Sequence, residues 1–577
     1  MLMTSHLLTA CDFFGKNDSP VPEQYLPEIS EGENEMIDAD IIKSTIASSD
    51  DGNGNYSNPV IFADVPDIDF IRVDDAYYMV STTMHLSPGC PIMKSYDLVN
   101  WEIVNYVYNT LGDADNLALR NSEHNYGQGQ WAASIRYNDG IYYVGFLSYA
   151  TGKSYIYHTD DIENGKWDRF EFNEGFHDMS LLFDDDGRVY IIYGGGQIWC
   201  VELEKDLSAI KPETKRRLIA DAGLVPGCLA EGAHAYKIDG YYYIFIITWP
   251  PNGRRTQLCY RSESLDGEWE MKVILDDNLD FHNAGVAQGG IVDSVDGDWY
   301  CLLFQDHGAV GRTPVLMPMV WEDGWPVVGV DGKAPKTAEI PIKGYEKKSI
   351  VTSDEFINSQ IVRPYHNFAN SLEEAGENDY NGSNLLLEWQ WNHNPDNRLW
   401  SLTEREGYLR LKTGFPCSSI TEAKNTLTQR TFGPECSAYI KLDVTNMKNG
   451  DVSGFSAFAE RYGYVGVKMK DDKKYLVMAR YDDNDSVEKE FEIERVELTE
   501  NEVYLRVDCD FVNSTDKAYF YYSLDGENWT RIGDTLQMNY YGLHFMGYRY
   551  AIFNYSTKQM GGYVDVDFFR VGNEIIR

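Results

Sequence analysis

The chain has 577 residues and a formal net charge of −41, with 91 acidic residues against 50 basic ones. That length exceeds one ordinary core, so two or three domains are expected. The charge argues against nucleic-acid phosphates and anionic membrane surfaces as partners and leaves a neutral or cationic ligand. Aromatic residues make up 14%, with 41 Tyr, which favours strands over helices. No apolar run reaches the roughly 18 residues of a membrane-spanning helix.

The first residues lack Lys and Arg but read Leu8-Thr9-Ala10-Cys11. This resembles a bacterial lipobox, in which Cys11 carries a lipid anchor after cleavage. From Asp12 to about Tyr56 the composition is that of a solvated tether, rich in Asp, Glu, Ser, Asn and Pro. Residues 1–55 are therefore expected as a lipoprotein-like leader and disordered tether, and the protein is expected at a bacterial cell surface or in the periplasm. The other cysteines include no C-x-x-C pair, so buried free thiols are expected rather than a zinc ribbon or a disulfide framework.

From about Asn58 to Gly329 one hairpin pattern recurs. It stands as FIRVDDAYYMV around Asp74, SIRYNDGIYYVGF around Asp139, LLFDDDGRVYIIY around Asp186, AYKIDGYYYIFI around Asp239 and IVDSVDGDWYCLL around Asp296. An Asp-Gly pair between such runs selects the tight primed turns, whose central residues need positive φ. Polar strands ending in Trp101, Trp167 and Trp269 follow three of the hairpins. Repetition at this spacing predicts a five-bladed β-propeller of four-stranded blades over residues 56–340.

In a propeller the inner strands converge on one axis, so residues at the starts of the blades meet. Asp67 in VPDIDFIRV, Asp178 in GFHDMSLLF and Glu231 in CLAEGAHAYKI hold such positions. Each lies in an apolar run, where a carboxylate is costly to bury and titrates high unless paired. Asp64 and Asp69 compete with Asp67 for its place.

These motifs, in this order, resemble the family 43 glycoside hydrolases. The resemblance rests on Pro66-Asp67 ahead of Arg72-Val73, on SPGCPIMKSYDLVNWEIV, and on Trp131-Ala132-Ala133, which departs from the family's W-A-P. It continues through Phe176-His177-Asp178, Ala230-Glu231-Gly232 and GRTPVLMPMVWEDGWP, and covers residues 56 to 330. It implies inverting hydrolysis with Asp67 as general base, Glu231 as general acid and Asp178 as modulator of the acid's pKa through like-charge repulsion. Inversion leaves room for water, with base and acid about 6.5–9.5 Å apart. Arg312 is implied to contact the sugar, and Trp131 and Phe176 are candidate stacking residues. The chemistry requires no cofactor. The resemblance also implies a structural calcium or a water cluster in the channel, with His307 as the candidate histidine. The family's usual His-Gly is replaced here by Gln288-Gly289.

Residues 350–577 alternate as short antiparallel strands and predict a β-sandwich of the jelly-roll or concanavalin type. EWQWNHNPD in this region resembles the C-terminal domain of the β-xylosidase-like branch, where a loop closes one wall of the active site. The expected function is an exo-acting, inverting glycoside hydrolase. It would release terminal L-arabinofuranose or D-xylose from hemicellulose or pectin side chains, with α-L-arabinofuranosidase favoured over β-xylosidase. The alternative is a non-catalytic glycan-binding surface lipoprotein. The expected partner is an oligosaccharide or polysaccharide side chain; the oligomeric state is open.

Overall fold

A computed structural model describes residues 47–221, 229–250, 253–358, 381–481 and 490–576. Cys11, with the leader around it, and Cys228 lie outside these residues. The described residues are almost entirely strand and turn.

The first half folds as a propeller. Its four-stranded sheets run in simple chain order, each strand pairing antiparallel with the next. They begin with the strands Asp69–Val73, Gln130–Asn138, Ser180–Phe183, Ala230–Ile238 and Ala287–Asp293, which line the axis. The hairpins behave as their turn residues require. Asn138 faces Ile141 across a two-residue loop, and both Asp139 (φ 50°) and Gly140 (φ 83°) have positive φ. Trp101 and Trp167 are buried in the cores beside their strands.

The expectation of five blades is corrected to six. Besides the five four-stranded sheets there is a three-stranded one, in which Asn55–Ile61 pairs with Ser48–Asp50 on one side and Thr337–Glu339 on the other. Tyr56 and Asn58 of this sheet donate side-chain hydrogen bonds to the Leu316 carbonyl of the last four-stranded sheet. Its one Asp-Gly turn, Asp51-Gly52 between Ser48–Asp50 and Asn55–Ile61, lies in the polar stretch expected as a tether. The third strand, Thr337–Glu339, comes from the other end of the region, so a search for local repeats passes over this sheet. Ser48–Asp50 also brings the last residues of the expected tether into the fold.

The second half is a sandwich of two large antiparallel sheets with alternating burial. One of these sheets ends on a strand of the propeller: Leu86–Ser87 pairs with Gln390–Asn392. The two halves therefore share hydrogen-bonded sheet as well as packed side chains. Six cysteines (Cys90, Cys200, Cys259, Cys301, Cys436 and Cys509) are buried free thiols, as expected, and Cys417 is half-buried.

Asp64 ties the halves together at the centre. One carboxylate oxygen accepts the Arg312 backbone N–H at 2.8 Å, and the other accepts the N–H of Gly547, from the sandwich, at 2.9 Å. Asp64→Ala would strand two buried donors. We expect it to lower stability by about 2–4 kcal/mol in urea unfolding. Asp64→Asn, which keeps one acceptor, should lose less.

Candidate active site

Three carboxylates expected from the sequence lie at one end of the axis. Asp67 and Asp178 stand just ahead of inner strands, and both take the left-handed conformation, at φ 51° and 46°. Glu231 is the second residue of Ala230–Ile238, where the pairing shifts register between Glu231 and His234. Similar irregularities interrupt the inner strands at Gln130–Ala133 and Ala287–Gly289. A bulge re-aims the side chains around it, so the sheets open towards a common hollow. Gly232 makes the bulge feasible. Its φ is 69°, and a Cβ there would meet the Gln288 side chain at 2.9 Å.

Hydrogen bonds separate Asp67 from its rivals. Asp67 accepts the Arg312 guanidinium at 2.7 Å and the Thr82 hydroxyl at 2.7 Å. Asp64 is used up by the two backbone donors described above. Asp69 accepts from Arg136 and the Ile135 N–H, and lies 3.0 Å from His234 Nδ1. Asp69 is thus the structural carboxylate of the channel, neutralised by a guanidinium already in place.

Asp178 is buried and accepts the Gly232 N–H at 2.9 Å, while the Glu231 side chain is about a third exposed. Burial pushes the Asp178 carboxyl up to about 7; the charge of His177 opposes this, and those of Glu231 and Asp67 add to it. The sequence reading placed the raised acid at Glu231 with Asp178 ionised. In the structure the desolvation falls on Asp178, because only Asp178 is enclosed.

His177, which sequence reasoning passed over, completes the cluster. Its Nε2 lies 3.4 Å from Glu231 and 3.7 Å from Asp178, and its Nδ1 lies 3.0 Å from the Tyr149 hydroxyl. Burial pulls the imidazolium down, but the charge of Asp178 and the hydrogen bond and charge of Glu231 outweigh it and raise the pKa to about 9. Its neighbour Asp178 in Phe-His-Asp was the available signal.

The walls are aromatic, and one comes from the sandwich. Phe545 stacks on Trp131 at 5.4 Å and also lies 4.7 Å from the Arg312 guanidinium. Arg312 is only 4% exposed, and its Nε and Nη2 have no partner among the described residues. A buried guanidinium with idle donors beside a carboxylate is suited to hydroxyl groups on a ligand. Neither Phe545 nor its neighbour Tyr540 carries a sequence signal, because both reach the site only through domain docking.

Two expected residues are corrected. Phe176 is fully buried, edge-on to Phe172 and Tyr193, and so belongs to the core between blades and cannot stack on a sugar. His307 bonds Gln305 at 2.8 Å and stacks on Phe281 at 4.1 Å; burial pushes it down to about 3. Among the described residues no carboxylate joins it, so it does not fit a calcium site. Among the described residues the group with convergent ligand atoms is His177, Asp178 and Glu231, within 4.8 Å of one another.

A β-propeller that gathers carboxylates and an idle buried arginine in one aromatic hollow has the equipment of a glycoside hydrolase. The family model for glycosyl hydrolases family 43 matches residues 56–326, and the model for the beta xylosidase C-terminal concanavalin A-like domain matches 377–572. A beta-xylosidase of Formosa agariphila is 30% identical over 98% of this chain and 96% of its own length. A non-reducing end alpha-L-arabinofuranosidase of Bacteroides ovatus is 29% identical over 62% of this chain and 65% of its own. Among solved structures, a bifunctional GH43-CE protein of Bacteroides eggerthii superposes with a TM-score of 0.82 at 47% identity, covering 90% of this chain. The chain spans 64% of the length of that bifunctional protein. The chain belongs to glycoside hydrolase family 43.

The Asp178 charge is the largest influence raising His177. Asp178→Asn should therefore bring the His177 pKa down from about 9. Imidazole chemical shifts followed against pH would measure it; an unchanged value would break the link between the two groups.

Proposed function

We propose that this enzyme removes a terminal pentose, L-arabinofuranose or D-xylose, from plant hemicellulose or pectin side chains by single-step inversion. The observation that carries the reading is the separation of roles among the carboxylates. Asp67 is buried against Arg312 and Thr82, while Glu231 is open enough to reach a leaving group. The curated relatives named as beta-xylosidase and alpha-L-arabinofuranosidase support the choice of sugar.

In this mechanism Asp67 takes a proton from water as the water attacks the anomeric carbon. Glu231 gives its proton to the departing oxygen, and the bond from carbon to that oxygen breaks as the new one forms. Asp178 and His177 set the proton balance around Glu231. Arg312 orients Asp67 and offers its idle donors to sugar hydroxyls. Trp131 and Phe545 cover the sugar's apolar face, and this wall from the sandwich limits the hollow to a chain end. Cys11 is proposed as the lipid-anchor site, which would place the enzyme at the cell surface or in the periplasm; the Leu8-Thr9-Ala10-Cys11 sequence supports this.

Asp67→Asn should lower kcat by about 10³-fold or more on every substrate, since the water loses its base. Glu231→Gln should lose as much on a natural oligosaccharide but far less on a nitrophenyl glycoside, whose leaving group needs little protonation. Steady-state kinetics on nitrophenyl arabinofuranoside, xyloside and galactoside would test this and name the sugar. NMR of the first-released anomer would test inversion. Equal losses on both substrate types for Glu231→Gln would remove it from the acid role.

Phe545→Ala should raise KM about tenfold or more while leaving the unfolding midpoint nearly unchanged, because its ring lies against Trp131 and Arg312 rather than in the sandwich core.

A further inference from the structure

The seam between propeller and sandwich holds a pair of buried cations, away from the catalytic carboxylates. Arg430 and Arg549 are direct partners in the antiparallel pairing of Leu427–Arg430 with Arg549–Ser556. Directly opposed residues point to the same face of a sheet, and like charges in that position repel. Both are almost completely enclosed, at 1% and 3% exposure.

Their hydrogen bonds go to neutral acceptors. Arg430 Nε donates to the Asp64 backbone carbonyl at 2.8 Å, and its guanidinium also hydrogen-bonds the Tyr106 side chain. Arg549 Nε donates to the Thr428 hydroxyl at 2.8 Å, and its Nη2 to the Gln390 side-chain carbonyl at 3.0 Å. Nη1 of each is buried with no partner. Among the described residues neither guanidinium is paired with a carboxylate. Arg430 senses Asp64 and Glu388 only through their fields, and the Asp64 oxygens are already bound by backbone N–H groups. Burial, followed by the repulsion of Arg430, pulls Arg549 down to about 9.

Two opposed charges stripped of water and of counter-charge are costly to bury. A trapped water molecule could accept from the idle groups but would not neutralise them. A carboxylate or phosphate carries several oxygens that need donors, whereas a halide enclosed as the two halves dock needs no more than the two idle Nη1 groups. We propose that Arg430 and Arg549 bind a small monovalent anion, a halide, at their unpartnered Nη1 groups in the propeller–sandwich seam. Such an anion would make docking of the two halves, and with it the Phe545 wall, sensitive to chloride.

The test is thermal unfolding of the full chain in sodium chloride against sodium gluconate at equal ionic strength, so that screening cancels. Chloride should raise the midpoint by about 2–4 °C in a saturable way. Arg549→Gln and Arg430→Gln should each abolish that difference. Equal midpoints for the unaltered protein in the two salts would overturn the proposal. Should either variant fail to fold, crystals of the unaltered protein refolded and grown in bromide decide the matter. An anomalous peak between the two Nη1 atoms is expected, and water-like density without anomalous signal there would overturn the site.

Discussion

Arg312 is the charge around which the site is assembled. It is buried, and a buried guanidinium must be paired to be tolerated. Its partner is Asp67, at 2.7 Å, from the run that precedes the first four-stranded sheet. Its own backbone N–H is held by Asp64 of the same run, and its guanidinium lies between the rings of Phe304 and Phe545. One residue of the last four-stranded sheet therefore fixes the chain ahead of the first and receives the sandwich from outside. Asp64 adds to this by accepting the Gly547 N–H from the sandwich. Closure of the ring, orientation of a carboxylate and docking of the second domain depend on the same few hydrogen bonds.

Across the hollow the balance is different. Asp178 and Glu231 have no arginine; they share His177. Burial raises Asp178, and the two carboxylates raise His177. Desolvation and pairing work against each other here, where around Arg312 pairing prevails. The site thus divides into a firmly paired half and a proton-sharing half, the division that acid–base chemistry requires.

Asp67, Asp178 and Glu231 were legible in the sequence because each interrupts an apolar run at the start of a repeated unit. Repetition converts such positions into convergence. The same reasoning failed where a side chain's environment comes from elsewhere. Phe176 precedes Asp178 by two positions, yet its ring turns into the core between blades. His307 looked axial, yet Gln305 and Phe281 hold it away from the carboxylates. His177 lay unread beside Asp178, since an adjacent carboxylate does not distinguish a site histidine from a surface one. The sixth sheet was missed because its Asp51-Gly52 turn sits in a polar stretch that reads as tether and its third strand lies most of the propeller away.

By itself the sequence determined the class of fold, the strand–turn–strand units and the carboxylates at their starts. Hydrophobic alternation and Asp-Gly turns act over a few residues and need no knowledge of the rest of the chain. Only the tertiary structure decided which of Asp64, Asp67 and Asp69 meets Arg312, how many sheets the propeller holds, and that Phe545 and Tyr540 of the sandwich face a site built by the propeller. Those outcomes depend on burial and on partners hundreds of residues apart. Desolvation and hydrogen-bond competition exist only once the two halves have closed on each other.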